Sequence, residues 1–124
     1  MSFLRPVWKT GLCLLLAASA NAYAHEQHEP GHIASPEMYE VLLENVRALV
    51  LKMVLKPGES DAFHRVNNET VYFEQGSKLK IETLGGESVV ADVPDGHVMW
   101  HEARTHRVTN IGEQTAIVII VEEK

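Results

Sequence analysis

Short runs of aliphatic and β-branched residues alternate with turn residues along most of this chain. Over residues 79–83, apolar positions alternate with Lys80 and Glu82, and this period of two is typical of a strand with one face in water. Other short apolar runs predict strands at residues 41–43, 46–55, 71–73, 88–93, 98–100, 106–108 and 115–121. Seven or eight short strands separated by turns predict an all-β sandwich or barrel, and no capped helix longer than ten residues is expected.

Glycine and proline mark the breaks between these runs. Turns are predicted at Pro57-Gly58, Gly85-Gly86 and Pro94-Asp95-Gly96. The last run, residues 115–121, contains five nearly consecutive Val and Ile residues. It predicts a strand that is either central in its sheet or buried on both faces.

The first 24 residues have the pattern of an export signal. Arg5 and Lys9 precede a short apolar run, and Ala22-Tyr23-Ala24 has the small-x-small form of a cleavage site. The alternative, a membrane anchor, is disfavoured because a spanning helix needs roughly 20 apolar residues. We therefore expect residues 1–24 to be a signal peptide cleaved after Ala24, and a periplasmic or secreted protein with no membrane attachment after cleavage.

Cleavage would leave one domain of about a hundred residues. The only cysteine, Cys13, would be removed with the signal, so no disulfide is expected. Removing Arg5 and Lys9 leaves nine basic residues against seventeen acidic ones, a net charge of −8 with neutral histidine. This charge argues against nucleic acid or an anionic membrane as a partner.

The residues after the predicted cleavage site are polar and rich in histidine. Residues 25–38 show no periodicity and are interpreted as a flexible tail, followed by the barrel over residues 39–124. An N-terminal His25 could bind Cu(II) together with His28 or His32. A leader with only incidental metal affinity is the alternative, and the sequence leaves the role of these histidines open.

Two segments resemble the conserved motifs of the cupins. In the first, five residues separate Gly58 from His64 and six separate Glu69 from Gly76; the second ends in His106-x-x-x-Asn110. This resemblance implies a single-domain double-stranded β-helix, or jelly-roll barrel. It also implies a homodimer, since cupins are commonly dimers.

The resemblance also implies a site for one divalent transition metal. The motif positions of its ligands are occupied by His64, Glu69 and His106, while Val66 replaces the second histidine of the first motif. Two histidines and one carboxylate can form a facial triad with open coordination positions. His101 is a possible replacement ligand, because it shares one face of a strand with Met99. A metal-free pocket is the alternative.

Two functions therefore stay open from the sequence. The first is a non-catalytic domain that binds a small organic molecule in an internal pocket with a partial metal site. The second is a metal-dependent oxygenase or isomerase that acts on a small organic acid or phenol. Arg65 could bind a substrate carboxylate, as could Arg104 or Arg107. The alternative is that these arginines form outward salt bridges on an acidic protein. Trp100 and Phe73 could line the pocket, although core packing accounts for them equally well.

Overall fold

The computed structural model describes residues 27–124. The predicted signal peptide and His25 lie outside these residues. The described chain contains one short helix, α1 (Gly31–Ala34), and nine strands. The strands are β1 (Tyr39–Glu44), β2 (Ala48–Leu55), β3 (His64–Val66), β4 (Glu69–Gln75), β5 (Lys78–Thr83), β6 (Ser88–Asp92), β7 (Val98–His101), β8 (Arg104–Asn110) and β9 (Ala116–Glu123).

The strands form two antiparallel sheets. One has five strands in the order β1-β2-β9-β4-β7, and the other has four in the order β3-β8-β5-β6. The prediction of an all-β fold is confirmed. Within the described residues no helix has the length and apolar character needed to span a membrane.

The core lies between the sheets because alternate residues of each strand face inward. On β2, Leu49, Leu51, Met53 and Leu55 are buried, while the residues between them are partly exposed. Strand β9 lies at the centre of its sheet, as predicted, but it alternates in the same way. Of the two predicted alternatives, β9 is therefore central rather than buried on both faces, since among the residues described no second layer covers the outer face of this sheet.

Asn110 and Gly76 fix the packing at the ends of the barrel, the first through hydrogen bonds and the second through its lack of a side chain. Asn110 is fully buried, and its amide donates to the backbone carbonyls of Leu55 and Gln114 at 2.8 Å each. Its side-chain oxygen accepts from the Ser77 hydroxyl and from a backbone N–H. Gly76 is required for packing, since a Cβ there would overlap the Val93 carbonyl.

The N-terminal segment differs from the flexible tail that the sequence predicts. The Glu29 carbonyl accepts a hydrogen bond from the backbone N–H of Arg65 at 3.0 Å. Ser35 is buried, and its hydroxyl accepts from the backbone N–H of Ala62 at 2.9 Å. These bonds satisfy one backbone N–H on the outer edge of β3 and one in the segment just before that strand. Residues 29–35 therefore lie along the barrel as a strap, and they bring Gly31 to one end of its interior.

Candidate ligand cavity

A small cavity lies between the two sheets. Its volume is about 80 Å³. Most of its wall is apolar and is formed by core side chains, among them Leu51, Met53, Val71, Phe73, Leu79 and Val108. The polar lining includes His64, Glu69, His101, Arg104, His106 and Glu122. The cavity therefore combines an apolar wall with a group of ionisable side chains.

Strand register places the four predicted metal ligands in the wall of this cavity. His64 on β3 is the cross-strand partner of His106 on β8, in the four-stranded sheet. Glu69 on β4 is the partner of His101 on β7, in the five-stranded sheet. Ring centroids of His64 and His106 are 4.8 Å apart, and those of His101 and His106 are 5.5 Å apart. We call these three histidines the imidazole cluster.

His64 is oriented by groups behind it. Its Nδ1 lies 2.8 Å from the Ala62 carbonyl and 3.5 Å from the Asp61 carboxyl. A proton on Nδ1 can donate to that carbonyl, which leaves the Nε2 lone pair available. The Tyr39 hydroxyl donates to Asp61 at 2.7 Å. Burial raises the pKa of Asp61 and, with the nearby Asp61 charge, raises the pKa of Tyr39 well above its ordinary value.

At His106 the two ring nitrogens have the opposite roles to those at His64. Arg104 Nε donates to His106 Nδ1 at 3.1 Å, so that nitrogen carries the lone pair and the ring proton is on Nε2. Burial is the largest cause that lowers the pKa of His106 to about 2, and repulsion from His64 and Arg104 adds to it. The ring is therefore neutral and acts as an acceptor toward the guanidinium.

Glu69 and His101 form a pair. Glu69 Oε1 lies 2.7 Å from His101 Nε2, and His101 Nδ1 lies 3.1 Å from the Glu102 carbonyl. Both ring nitrogens of His101 thus face oxygen acceptors. Glu69 is buried and faces the cavity.

Glu122 is a cavity residue that the sequence analysis missed. It is buried beside Glu69, its cross-strand partner on β9, and its Oε1 accepts from the backbone N–H of Asn67 at 2.9 Å. Burial raises the pKa of Glu122, and the Glu69 charge raises it further. The signal was present in the alternation of β9, since Glu122 follows the inward-facing Ile120 by two residues.

The predicted pocket residues divide into one that lines the cavity and two that do not. Phe73 is in the wall. Arg65 lies between the inward-facing residues His64 and Val66 and therefore points to the opposite face of β3. Trp100 likewise faces outward and is 56% exposed. The assignment of Arg65 and Trp100 to the pocket is corrected on this ground, and Arg104 is the arginine that reaches the cavity.

The other charged groups of the sequence analysis lie outside the cavity. Arg107 donates to Glu82 at 2.9 Å and packs over the ring of Phe63. In the N-terminal segment, His32 has a buried Nδ1 without a hydrogen-bond partner among the described residues. Gly31 of this segment lines the cavity. It lies close to the imidazole cluster, since a Cβ there would be 3.1 Å from His64 Cδ2.

The residues do not fit a bound metal ion in this arrangement. Within residues 27–124, no group of three or more His, Cys, Asp or Glu side chains is placed to hold one. A metal-bound imidazole presents one lone pair to the ion and donates its other N–H to an acceptor. His64 meets this requirement, but His106 accepts from Arg104 and His101 is paired with Glu69. One available imidazole holds a divalent ion poorly.

Comparison with known proteins identifies the fold. No protein-family model and no curated protein matches the chain. A cupin-domain structure from Bordetella pertussis Tohama I is similar, with a TM-score of 0.63 and 25% identity over 69% of this chain and 91% of that one. An RmlC-like cupin with a double-stranded β-helix from Methanocaldococcus jannaschii has a TM-score of 0.57 and 14% identity, covering 68% and 77%. The chain therefore has the cupin double-stranded β-helix fold, as its motifs predict.

Proposed function

We propose that this domain is a metal-independent binding protein for a small carboxylate. The observation that supports the proposal is the cavity of about 80 Å³, which has an apolar wall and a guanidinium in its polar lining. Fold alone carries no such inference, because cupin-like barrels are scaffolds whose function depends on the site.

The cavity volume restricts the size of the ligand. An engineered cavity of about 150 Å³ holds benzene, and one water occupies about 30 Å³ of the liquid. A cavity of about 80 Å³ has room for a molecule of roughly three to five non-hydrogen atoms. A phenol is about the size of benzene or larger, so the smaller volume of this cavity favours a smaller ligand over a phenol.

The balance of charge favours an anion. Glu69 is paired with His101, and burial raises the pKa of Glu122, which favours its neutral acid. The guanidinium of Arg104 donates through Nε to a neutral imidazole, and among the described residues the charge that acts on it is that of Glu69, which also faces His101. Arginine binds carboxylates through two parallel N–H groups. The Nε2–H of His106 offers a further donor in the same wall.

Thermal unfolding with small probes tests this proposal. Acetate has four non-hydrogen atoms, and a ceiling of about 1.5 kcal/mol per atom gives a Kd no tighter than about 40 µM. Acetate, propionate and benzoate are therefore compared at tens of millimolar and constant ionic strength, with neutral acetamide as the matched control. A concentration of 100 times Kd should add about 2.7 kcal/mol to the free energy of unfolding.

We expect acetate or propionate to raise the melting temperature saturably, and acetamide and benzoate to leave it unchanged. Arg104→Met should abolish the response, whereas Arg107→Met, on the same strand but outside the cavity, should retain it. Equal responses to acetate and acetamide would show that no anion site exists. A benzoate response as strong as that of acetate would contradict the size limit.

One observation favours the metal-dependent oxygenase or isomerase instead. The four residues that the sequence predicts as metal ligands all line the same cavity: His64, Glu69, His101 and His106. Elemental analysis of protein purified without a histidine tag distinguishes the two functions. We expect less than a tenth of an equivalent of Fe, Mn, Zn, Ni or Cu per chain; one equivalent would support the enzyme.

A further inference from the structure

We infer that Arg104 keeps the imidazole cluster free of metal, and that the cluster becomes a divalent-metal site when this one side chain is removed. The inference rests on the metal-free part of the proposed function and does not depend on which anion is bound. The site would use residues that now have other partners, because His106 accepts from Arg104 and His101 is paired with Glu69.

The spacing of the rings already suits a shared ion. Two imidazoles on one tetrahedral ion, with metal–nitrogen distances of about 2.0–2.1 Å, have ring centroids roughly 5 Å apart. The centroid distances of 4.8 Å between His64 and His106 and 5.5 Å between His101 and His106 bracket this value. Glu69, in contact with His101, supplies a carboxylate beside them. The rings are therefore close enough to approach one ion, although within residues 27–124 the donor atoms are not placed for it in the present arrangement.

Arg104 blocks the cluster through either nitrogen of His106. A metal on Nε2 would require the proton to move to Nδ1, where it would face the N–H of Arg104 Nε at the position that is now a 3.1 Å hydrogen bond. A metal on Nδ1 would have to displace the guanidinium. Both routes lose the hydrogen bond, and the first also places two donors against each other.

The geometry of β8 places Arg104 beside His106. Arg104 and His106 are two residues apart on β8, so both side chains leave the same face. Arginine does not lose its proton in proteins. A permanent cation thus lies beside the place where a second cation would bind, and Coulomb repulsion adds to the loss of the hydrogen bond.

Zinc titration of matched variants tests the inference. Arg104→Met removes the charge and the donor but keeps an unbranched side chain. Arg104→Lys keeps the charge, and Arg107→Met makes the same substitution on the same strand where the arginine pairs with Glu82. The double variant Arg104→Met/His106→Asn removes the released ligand. Binding is measured by calorimetry, with the bound zinc counted by elemental analysis after buffer exchange.

We expect Arg104→Met to bind one Zn²⁺ per chain at least a hundred times more tightly than the wild type. Arg104→Lys, Arg107→Met and the double variant should resemble the wild type. Weak binding by the N-terminal histidines is common to all variants and cancels. Circular dichroism verifies the fold, and Arg104→Ala replaces Arg104→Met if the latter is unfolded.

The outcomes separate this inference from the proposed function. Stoichiometric zinc in the wild type would overturn the metal-free part of the proposed function and with it the inference. A metal-free wild type together with a folded Arg104→Met that binds no zinc would overturn the inference alone. Zinc retained by the double variant would show that the metal lies elsewhere, which also overturns it.

Discussion

Acidification should destabilise the barrel through His106. The imidazole stays neutral in the folded state because its pKa is lowered from 6.5 to about 2. Below pH 6.5 the unfolded chain therefore binds a proton that the folded chain does not, and the free energy of unfolding falls by about 1.4 kcal/mol per pH unit. Between pH 6.5 and about 4.5 the contribution of His106 to stability should fall by about 2.3 kcal/mol, because half of the unfolded chains already carry this proton at pH 6.5.

Two buried carboxyl groups act in the opposite direction. The folded-state pKa values of Asp61 and Glu122 are raised, so their contribution is present at low pH and is lost as the pH rises through those values. The effect of His106 must therefore be measured as a difference. Urea unfolding of the wild type and of His106→Asn at several pH values between about 7.5 and 4.5 gives this difference directly.

The stability advantage of the wild type over His106→Asn should shrink steadily below pH 6.5. Val66→Ala removes methyl groups at a buried position on β3 without changing a titratable group. Its curve should run parallel to that of the wild type. If the curves of His106→Asn and the wild type are also parallel, His106 is not held neutral by its surroundings and the reasoning is wrong.

Three further predictions concern the core, the assembly and the N-terminus. Asn110→Asp should lower the free energy of unfolding by about 3 kcal/mol or more, because a carboxylate oxygen would face two buried backbone carbonyls; an unchanged urea midpoint contradicts this. Light scattering should show a homodimer, and Trp100→Glu, beside the exposed Val98, should yield monomers; a monomeric wild type excludes the dimer. The intact mass of the exported protein should correspond to a chain starting at His25, whereas a chain still starting at Met1 excludes cleavage.

Much of the fold could be predicted because alternating burial requires apolar and polar residues to alternate along the sequence. The period of two on β5 and the turns at glycine predict strands that the structure contains. The N-terminal strap left no such trace. It is held by the Glu29 carbonyl and the Ser35 hydroxyl, and contacts made by backbone and small polar groups require no apolar periodicity.

The candidate site could be predicted in part. Motif spacing identified His64, Glu69 and His106, and strand alternation added His101. The same alternation places Arg104 inward with His106. The ring nitrogen that accepts from Arg104 cannot be inferred from spacing, because it depends on how the side chains pack.

The most direct test of a small-anion cavity is an NMR titration of methionine methyl groups with acetate. Met53 and Met99 line the cavity, whereas Met38 packs against the core without lining it. With ¹³C-methyl methionine, we expect saturable shifts at Met53 and Met99, no shift at Met38, and loss of the response in Arg104→Met. Shifts that are absent or grow linearly without saturation at both cavity methionines would show that the cavity does not bind acetate.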